Sequence, residues 1–322
     1  MPAYAELKSI FDRKGTVVLD GAVGTQLQSM GVPMDGMSWA AAGLKDYPFT
    51  TQRMHELYIR AGVDVITTNT YSSARHNLEP LGLAEMTAEL NLRAVMLAQM
   101  ARERAAGARK IWIAGAISNF GLTTGSETGF PYQARYQVRF PSRNAITEEA
   151  ARKSLNEQAR ILAEAGADFI LIEGTGSNTH RGWLLDAARR TGLPFWLGFR
   201  VRMHEGKLYI GYRSDTLFAD GLEQLLADDI AGINLFHSSI NAIEPGLAVL
   251  KAKWKGPIGV YPEADRTDYI SRSRDESQET PITPDEFVKQ AQGWIKSGVQ
   301  LVGGCCGIDL PYIEKLATAV RR

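Results

Sequence analysis

The chain has 322 residues, 44% hydrophobic and 22% charged, with 36 basic residues balanced by 36 acidic ones. This is ordinary globular composition, and a formal net charge of zero gives no sign of a nucleic-acid or membrane partner. No apolar run is long enough to span a bilayer, the start MPAYAELKSIFDRKG lacks the features of a secretion signal, and two cysteines make no disulfide framework, so a cytoplasmic protein is expected.

Short β-rich apolar runs recur along the chain, at 16–20, 63–69, 111–118, 168–174, 194–200, 231–236, 257–263 and 299–304. Most are continuously apolar rather than alternating, the pattern of parallel strands buried on both faces. The segments between them read as helices. In the segment 147–166, Thr147 stands as N-cap, Glu148 and Glu149 at the positive dipole end, and Gly166 at the close. In 283–298, Thr283 and Glu286 form a capping box around Pro284, Phe287, Ala291, Trp294 and Ile295 make an apolar stripe, and Gly298 ends the run.

Eight strand–helix alternations predict an α/β fold, a single (β/α)8 TIM barrel over residues 1–322, with an open doubly wound sheet as the alternative. Two segments stand outside the alternation. Residues 119–144 are rich in Gly, Thr, Tyr and Arg and have the length of a lid or contact surface. Residues 271–280, SRSRDESQET, read as a polar surface loop.

Barrel chemistry gathers at the C-terminal ends of the strands. Those ends supply Asp20, Thr68 and Asn69, Ser118 and Asn119, Glu173, Arg200, Asn234, Tyr261, and finally Cys305 and Cys306. Asp20 and Glu173 close β-branched runs, where a buried carboxylate is costly without partners. Each either ties loops together or acts on a ligand. The adjacent cysteines have three readings: inert packing, a redox pair, which adjacent residues make strained, or two thiolates of a metal site between flanking glycines.

Several separate blocks resemble the homocysteine S-methyltransferase family. They are LDGAVGTQLQSMG at 19–31, RMHELYIRAGVDVITTNTYSSARHNL at 53–78, GADFILIEGT at 166–175, AGINLF at 231–236, and GGCCG near the C-terminus. Together they cover essentially the whole chain. The resemblance implies a (β/α)8 barrel that moves a methyl group to a thiol, usually homocysteine, from a sulfonium, betaine or folate donor. It also implies a zinc held by three cysteine thiolates, which binds the acceptor thiol. Glu173 would hold the acceptor's amino group and Asp20 would frame that pocket, with Asn234, Thr68 and Asn69 completing the substrate-binding set. The expected partners are a small methyl donor and a thiol acceptor, and the oligomeric state, a homo-oligomer included, stays open.

The chain departs from the family at one position above all. The family's first zinc cysteine follows the asparagine of a G-x-N-C motif, and here that position is Leu235. Three consequences are open. His237, two residues on and so on the same face of an extended strand, replaces the ligand, giving a metal set of Cys305, Cys306 and His237. A water or carboxylate completes a weaker two-cysteine site. Or the metal is lost, and the barrel binds a small ligand without methyltransferase activity. A second departure is Gly174, where the family has threonine after the strand-end glutamate.

The chain has no room for added folate and cobalamin modules, so a small sulfonium or quaternary ammonium donor is expected. Aromatic faces hold such cations, and Trp39, Tyr71, Phe120, Phe199 and Tyr261 lie near strand ends or in the loops after them. Each also serves as plain packing.

Overall fold

A computed structural model describes residues 2–34, 38–122, 145–212, 214–264 and 282–321. Eight strands form one parallel sheet: β1 (Val17–Val18), β2 (Val65–Thr67), β3 (Trp112–Ser118), β4 (Phe169–Gly174), β5 (Phe195–Phe199), β8 (Gly232–Phe236), β9 (Ile258–Tyr261) and β10 (Leu301–Val302). β10 pairs with β1, and a parallel bridge between Leu19 and Val65 joins β1 to β2, which closes the barrel. All eight predicted strands are present, each trimmed by one or more residues. Helices alternate with the barrel strands, among them Pro48–Ala61, Glu148–Glu164, Asn178–Arg190, Ile240–Lys253 and Pro284–Lys296.

The predicted helix signals act as physics requires. Thr147 Oγ1 accepts from Ala150 N–H. Thr283 and Glu286 close a reciprocal capping box, and Gly166 and Gly298 take positive φ just past their helices. Phe287, Ala291 and Trp294 are buried.

Strand alternation sorts the apolar residues into two layers. Val17, Leu19, Val65, Trp112, Ala114, Phe169, Leu171, Trp196, Phe236, Tyr261 and Leu301 fill the barrel interior. The helix Pro2–Asp12 closes the N-terminal end with Tyr4, Leu7 and Phe11, and Trp196 Nε1 donates to the Tyr4 hydroxyl at 2.7 Å. The intervening positions, such as Ile66, Ile113, Ile170, Leu197, Ile233, Leu235 and Val260, pack outward against the helices. The bottom is therefore sealed, and polar chemistry is left to the opposite mouth.

One element has no counterpart in the sequence prediction. After β5 the chain makes an antiparallel hairpin of β6 (Val201–His204) and β7 (Lys207–Ile210). Its turn residues Glu205 and Gly206 both take positive φ, the requirement of a two-residue type I′ turn. The predicted loop 119–144 lies outside the described residues from 123 onward, as does all of 271–280.

Candidate active site

Three loops weave together at the mouth. His237 N–H donates to Tyr261 O (3.1 Å), Glu263 N–H to Ser238 O (3.1 Å), Cys305 N–H to Pro262 O (2.8 Å) and Ala264 N–H to Cys306 O (2.9 Å). The segment after β9 is thus stitched on one side to the segment after β8 and on the other to the cysteine turn. The glycines before the cysteines permit a close approach. A Cβ on Gly303 would lie 2.8 Å from Asp20 O, and one on Gly304 would lie 2.2 Å from Ile308 Cγ2. Gly303 thus lets the end of β10 pack against the end of β1, and Gly304 lets the cysteine turn fold back onto Ile308.

Cys305 and Cys306 are partly buried thiols, not joined in a disulfide, with their sulfurs 3.9 Å apart. His237 Nδ1 lies 3.3 Å from Cys305 Sγ. Ligand atoms of all three residues fall within 4.8 Å of one another. For zinc–sulfur and zinc–nitrogen bonds of about 2.3 and 2.0 Å, tetrahedral edges come to about 3.8 Å and 3.5 Å. The spacing and the soft donor set fit a zinc ion.

His237 reaches the thiols by a route other than strand alternation. Leu235 faces the helix layer, packed beside Val201 and Gly246. Continued alternation would send position 237 outward as well. The strand stops at Phe236, and His237 takes φ +46°, a left-handed conformation that costs about 1–2 kcal/mol in a non-glycine residue. That single turn brings the imidazole back over the mouth. Leu235 and His237 therefore do not share a face, contrary to the alternation expected from the sequence.

Around the imidazole stand Tyr212, whose hydroxyl is hydrogen-bonded to Nε2, and Glu263, whose Oε2 is 3.6 Å from Nδ1. Glu263 also pairs with Arg200 at 3.7 Å. Burial pulls the His237 pKa down, but neighbouring Cys306 and Glu263 outweigh it, so the ring is a stronger base than usual. The hydrogen bond to Cys306 and burial push the Cys305 thiol well above its usual range. Sequence reasoning missed Tyr212 and Glu263. The signal for the first was the Glu-Gly pair between two alternating runs, which marks the hairpin that ends beside Tyr212.

Two carboxylates share this mouth. Asp20 is buried, with Oδ2 accepting from Thr67 N–H (2.7 Å) and Oδ1 from the Thr67 hydroxyl (2.9 Å). Burial pushes its pKa up to about 8 against those hydrogen bonds, with the charge of Glu173 adding to the rise. Burial likewise pushes the partly buried Glu173 up to about 7, opposed by the charge on His237. Glu173 lies opposite Gly198 and Gly198 opposite Asn234, so both side chains stand at one level of the barrel. Asn234 is wholly buried, and neither of its amide atoms has a hydrogen-bond partner among the described residues.

Thr68 and Asn69 are engaged by the fold. Thr68 Oγ1 bonds the Thr70 hydroxyl (2.7 Å) and accepts from Ala116 N–H, while Asn69 Nδ2 donates to Ala40 O. The residue that holds Asp20 is their neighbour Thr67. Of the aromatic residues, Tyr71 and Phe120 pair at 5.3 Å between ring centres, and the Tyr71 hydroxyl feels the charges of Glu173 and both cysteines. Phe199 is instead buried in the helix layer against Phe218, and Trp39 packs over Gly24.

The second departure also has a structural counterpart. A Cβ on Gly174 would lie 2.7 Å from Arg181 Cγ. Arg181 is fully buried and donates to Gly174 O (2.8 Å) and Gly176 O (2.7 Å), bracing the backbone just after Glu173. Burial lowers its pKa to about 9.

Residues 17–320 match the model of the family described as homocysteine S-methyltransferase. Among curated proteins, the chain is 25% identical over 311 residues to selenocysteine methyltransferase of Astragalus bisulcatus, covering 90% of this chain and 88% of that one. It is 27% identical over 309 residues to homocysteine S-methyltransferase 1 of Zea mays, covering 91% and 90%. Among solved structures, the metallated form of the homocysteine methyltransferase MmuM from Escherichia coli superposes with a TM-score of 0.73 at 22% identity, over 97% of this chain and 99% of that one. This last likeness speaks for the fold.

Proposed function

Because the chain belongs to the homocysteine S-methyltransferase family, we propose that it transfers a methyl group from a small sulfonium or quaternary ammonium donor to a thiol, with homocysteine as the acceptor. The observation that carries this reading is the meeting of Cys305, Cys306 and His237 at the barrel mouth, with Asp20 and Glu173 close by. Cys305, Cys306 and His237 would hold a zinc ion. A zinc bound there supplies a Lewis acid that lowers the acceptor thiol's pKa, so that the thiolate is present at neutral pH.

The chain's own residues supply position and charge. With folded pKa values near 7 and 8, Glu173 and Asp20 tend to hold their protons until a cation arrives. The ammonium group of an amino-acid acceptor draws both toward ionisation and gains charge-assisted hydrogen bonds in return. An acceptor anchored at that end presents its sulfur to the cysteine turn. Tyr71 and Phe120 offer aromatic faces for the cationic donor. The acceptor sulfur attacks the donor methyl carbon in line. A sulfur–carbon bond forms, the carbon–sulfonium or carbon–ammonium bond breaks, and the donor leaves as a neutral sulfide or amine. Placement of the two reactants is the main catalytic contribution of the barrel.

The test is to incubate the reduced, zinc-loaded protein with homocysteine and S-methylmethionine or betaine and assay methionine by mass spectrometry. Methionine formed above the protein-free rate is expected. No thiol methylation with either donor would overturn the reading.

A further inference from the structure

Four side chains at the mouth close a circuit. Arg200 Cζ sits 4.0 Å from the ring centre of Tyr212, the Tyr212 hydroxyl is bonded to His237 Nε2, His237 Nδ1 faces Glu263 at 3.6 Å, and Glu263 pairs back to Arg200 at 3.7 Å. The hairpin β6–β7 delivers Tyr212. Its exit is fixed to its entry, since Gly211 N–H donates to Arg200 O (2.8 Å) and Arg200 Nη1 donates to Gly211 O (3.1 Å). Tyr212 and His237 meet edge-on, with ring centres 5.8 Å apart and planes at 73°.

We propose that Tyr212 is a positioning residue for His237: its hydroxyl holds Nε2 in either ring tautomer, so that Nδ1 is free to bind metal beside Cys305 and Cys306. The proposal rests on the reading of His237 as the third ligand. A neutral imidazole carries one proton on two nitrogens. The Glu263 carboxylate beside Nδ1 favours the proton there, which blocks ligation. Binding at Nδ1 requires the proton to sit on Nε2. A hydroxyl both donates and accepts, so Tyr212 donates to Nε2 in the first form and accepts from Nε2–H in the second. The ring changes its proton without losing its anchor. The left-handed backbone at His237 belongs to the same arrangement, since such strain persists only where its surroundings over-determine it.

The experiment measures zinc affinity by competition with a chromogenic chelator for the reduced wild type, Tyr212→Phe, His237→Ala and the double variant. It also records cobalt(II) spectra and thermal melts. Losing the outer partner of a metal-bound histidine typically weakens binding 10–100-fold. Tyr212→Phe is expected to lose about that much while keeping the sulfur-to-cobalt charge-transfer intensity and the melting temperature, because both thiolates still bind. In the His237→Ala background it is expected to cost nothing more.

Unchanged affinity in Tyr212→Phe beside a loss in His237→Ala overturns the positioning role and leaves the ligand reading standing. An equal loss from Tyr212→Phe with and without His237 also overturns it. Unchanged affinity in His237→Ala overturns the ligand reading, and the inference with it. A measurement on the wild type needs no variant to fold: imidazole nitrogen-15 shifts of the zinc-loaded protein are expected to place the His237 proton on Nε2. A proton on Nδ1 overturns the proposal.

Discussion

Leu235 and Gly246 interlock on the outer side of the barrel wall, where a Cβ added to Gly246 would lie 2.8 Å from Leu235 Cδ1. Leu235, where the family resemblance would place a zinc cysteine, therefore points into the helix layer. Leu235→Cys is expected to leave zinc affinity unchanged and to cost about 1–3 kcal/mol of stability, because buried methyl groups are lost. His237→Cys places a third thiolate beside the other two and is expected to raise affinity at least about tenfold, since the thiolate adds charge to the bond. Chelator competition on both variants decides. A gain in the leucine variant, or a loss in the histidine one, contradicts this geometry.

Glu173→Gln is expected to weaken homocysteine binding about 10–100-fold, the worth of roughly 1.5–3 kcal/mol for a charge-assisted hydrogen bond. Stability should move the other way. Burial raises the Glu173 pKa from 4.5 to about 7, so the folded state binds the proton more tightly than the unfolded one between those values. Its contribution falls as pH rises through that window. The glutamine variant removes that slope and is expected to be at least as stable as wild type at pH 8. Calorimetric titration and melts at pH 5 and pH 8 check the two halves. A large fall in melting temperature with unchanged affinity would make Glu173 a structural residue.

Gly174→Thr, the residue that the family resemblance implies here, collides with Arg181, whose Cγ would be 2.7 Å from the new Cβ. Overpacking of this kind costs about 1–3 kcal/mol. Arg181→Ala releases the carbonyls of Gly174 and Gly176 and is destabilising by itself. The double variant is expected to be more stable than the sum of the single losses by at least about 0.5 kcal/mol, because the threonine then has room. Denaturant unfolding of the four proteins gives the coupling, and strict additivity would show that the two residues do not compete for space.

His55, on the helix Pro48–Ala61, is fully buried, and neither ring nitrogen has a hydrogen-bond partner among the described residues. Burial lowers its pKa from 6.5 to about 4. The unfolded chain takes up a proton below pH 6.5 that the folded chain refuses until about pH 4, so stability is lost as pH falls through that window. At 1.36 kcal/mol per pKa unit the full effect is about 3 kcal/mol. His55→Leu is expected to remove this acid-side loss. Unfolding free energies at pH 7 and pH 5 should differ less in the variant than in wild type, and an identical pH dependence would place the titration elsewhere.

Much of the barrel was legible because its signals are local. Continuous apolar runs mark strands buried on both faces, and caps such as Thr147 and Thr283 fix where helices begin. The strand-end rule places Asp20, Glu173, Cys305 and Cys306 at the same mouth of the barrel. The hairpin β6–β7 also carries a local signal, its Glu-Gly turn, but it forms a separate two-stranded sheet that the alternation of barrel strands and helices does not reveal.

The order of elements, their periodicity and the polar end of each strand are written along the chain. These follow from backbone geometry and burial, which act over a few residues. That Leu235 faces the helices while His237 turns inward is set in three dimensions, since it rests on one left-handed residue which strand periodicity cannot foresee. The same holds for the meeting of Arg200, Tyr212, His237 and Glu263. Their contacts join three loops far apart in the chain, and side-chain partners at that separation are set by how the barrel closes, not by any spacing along it.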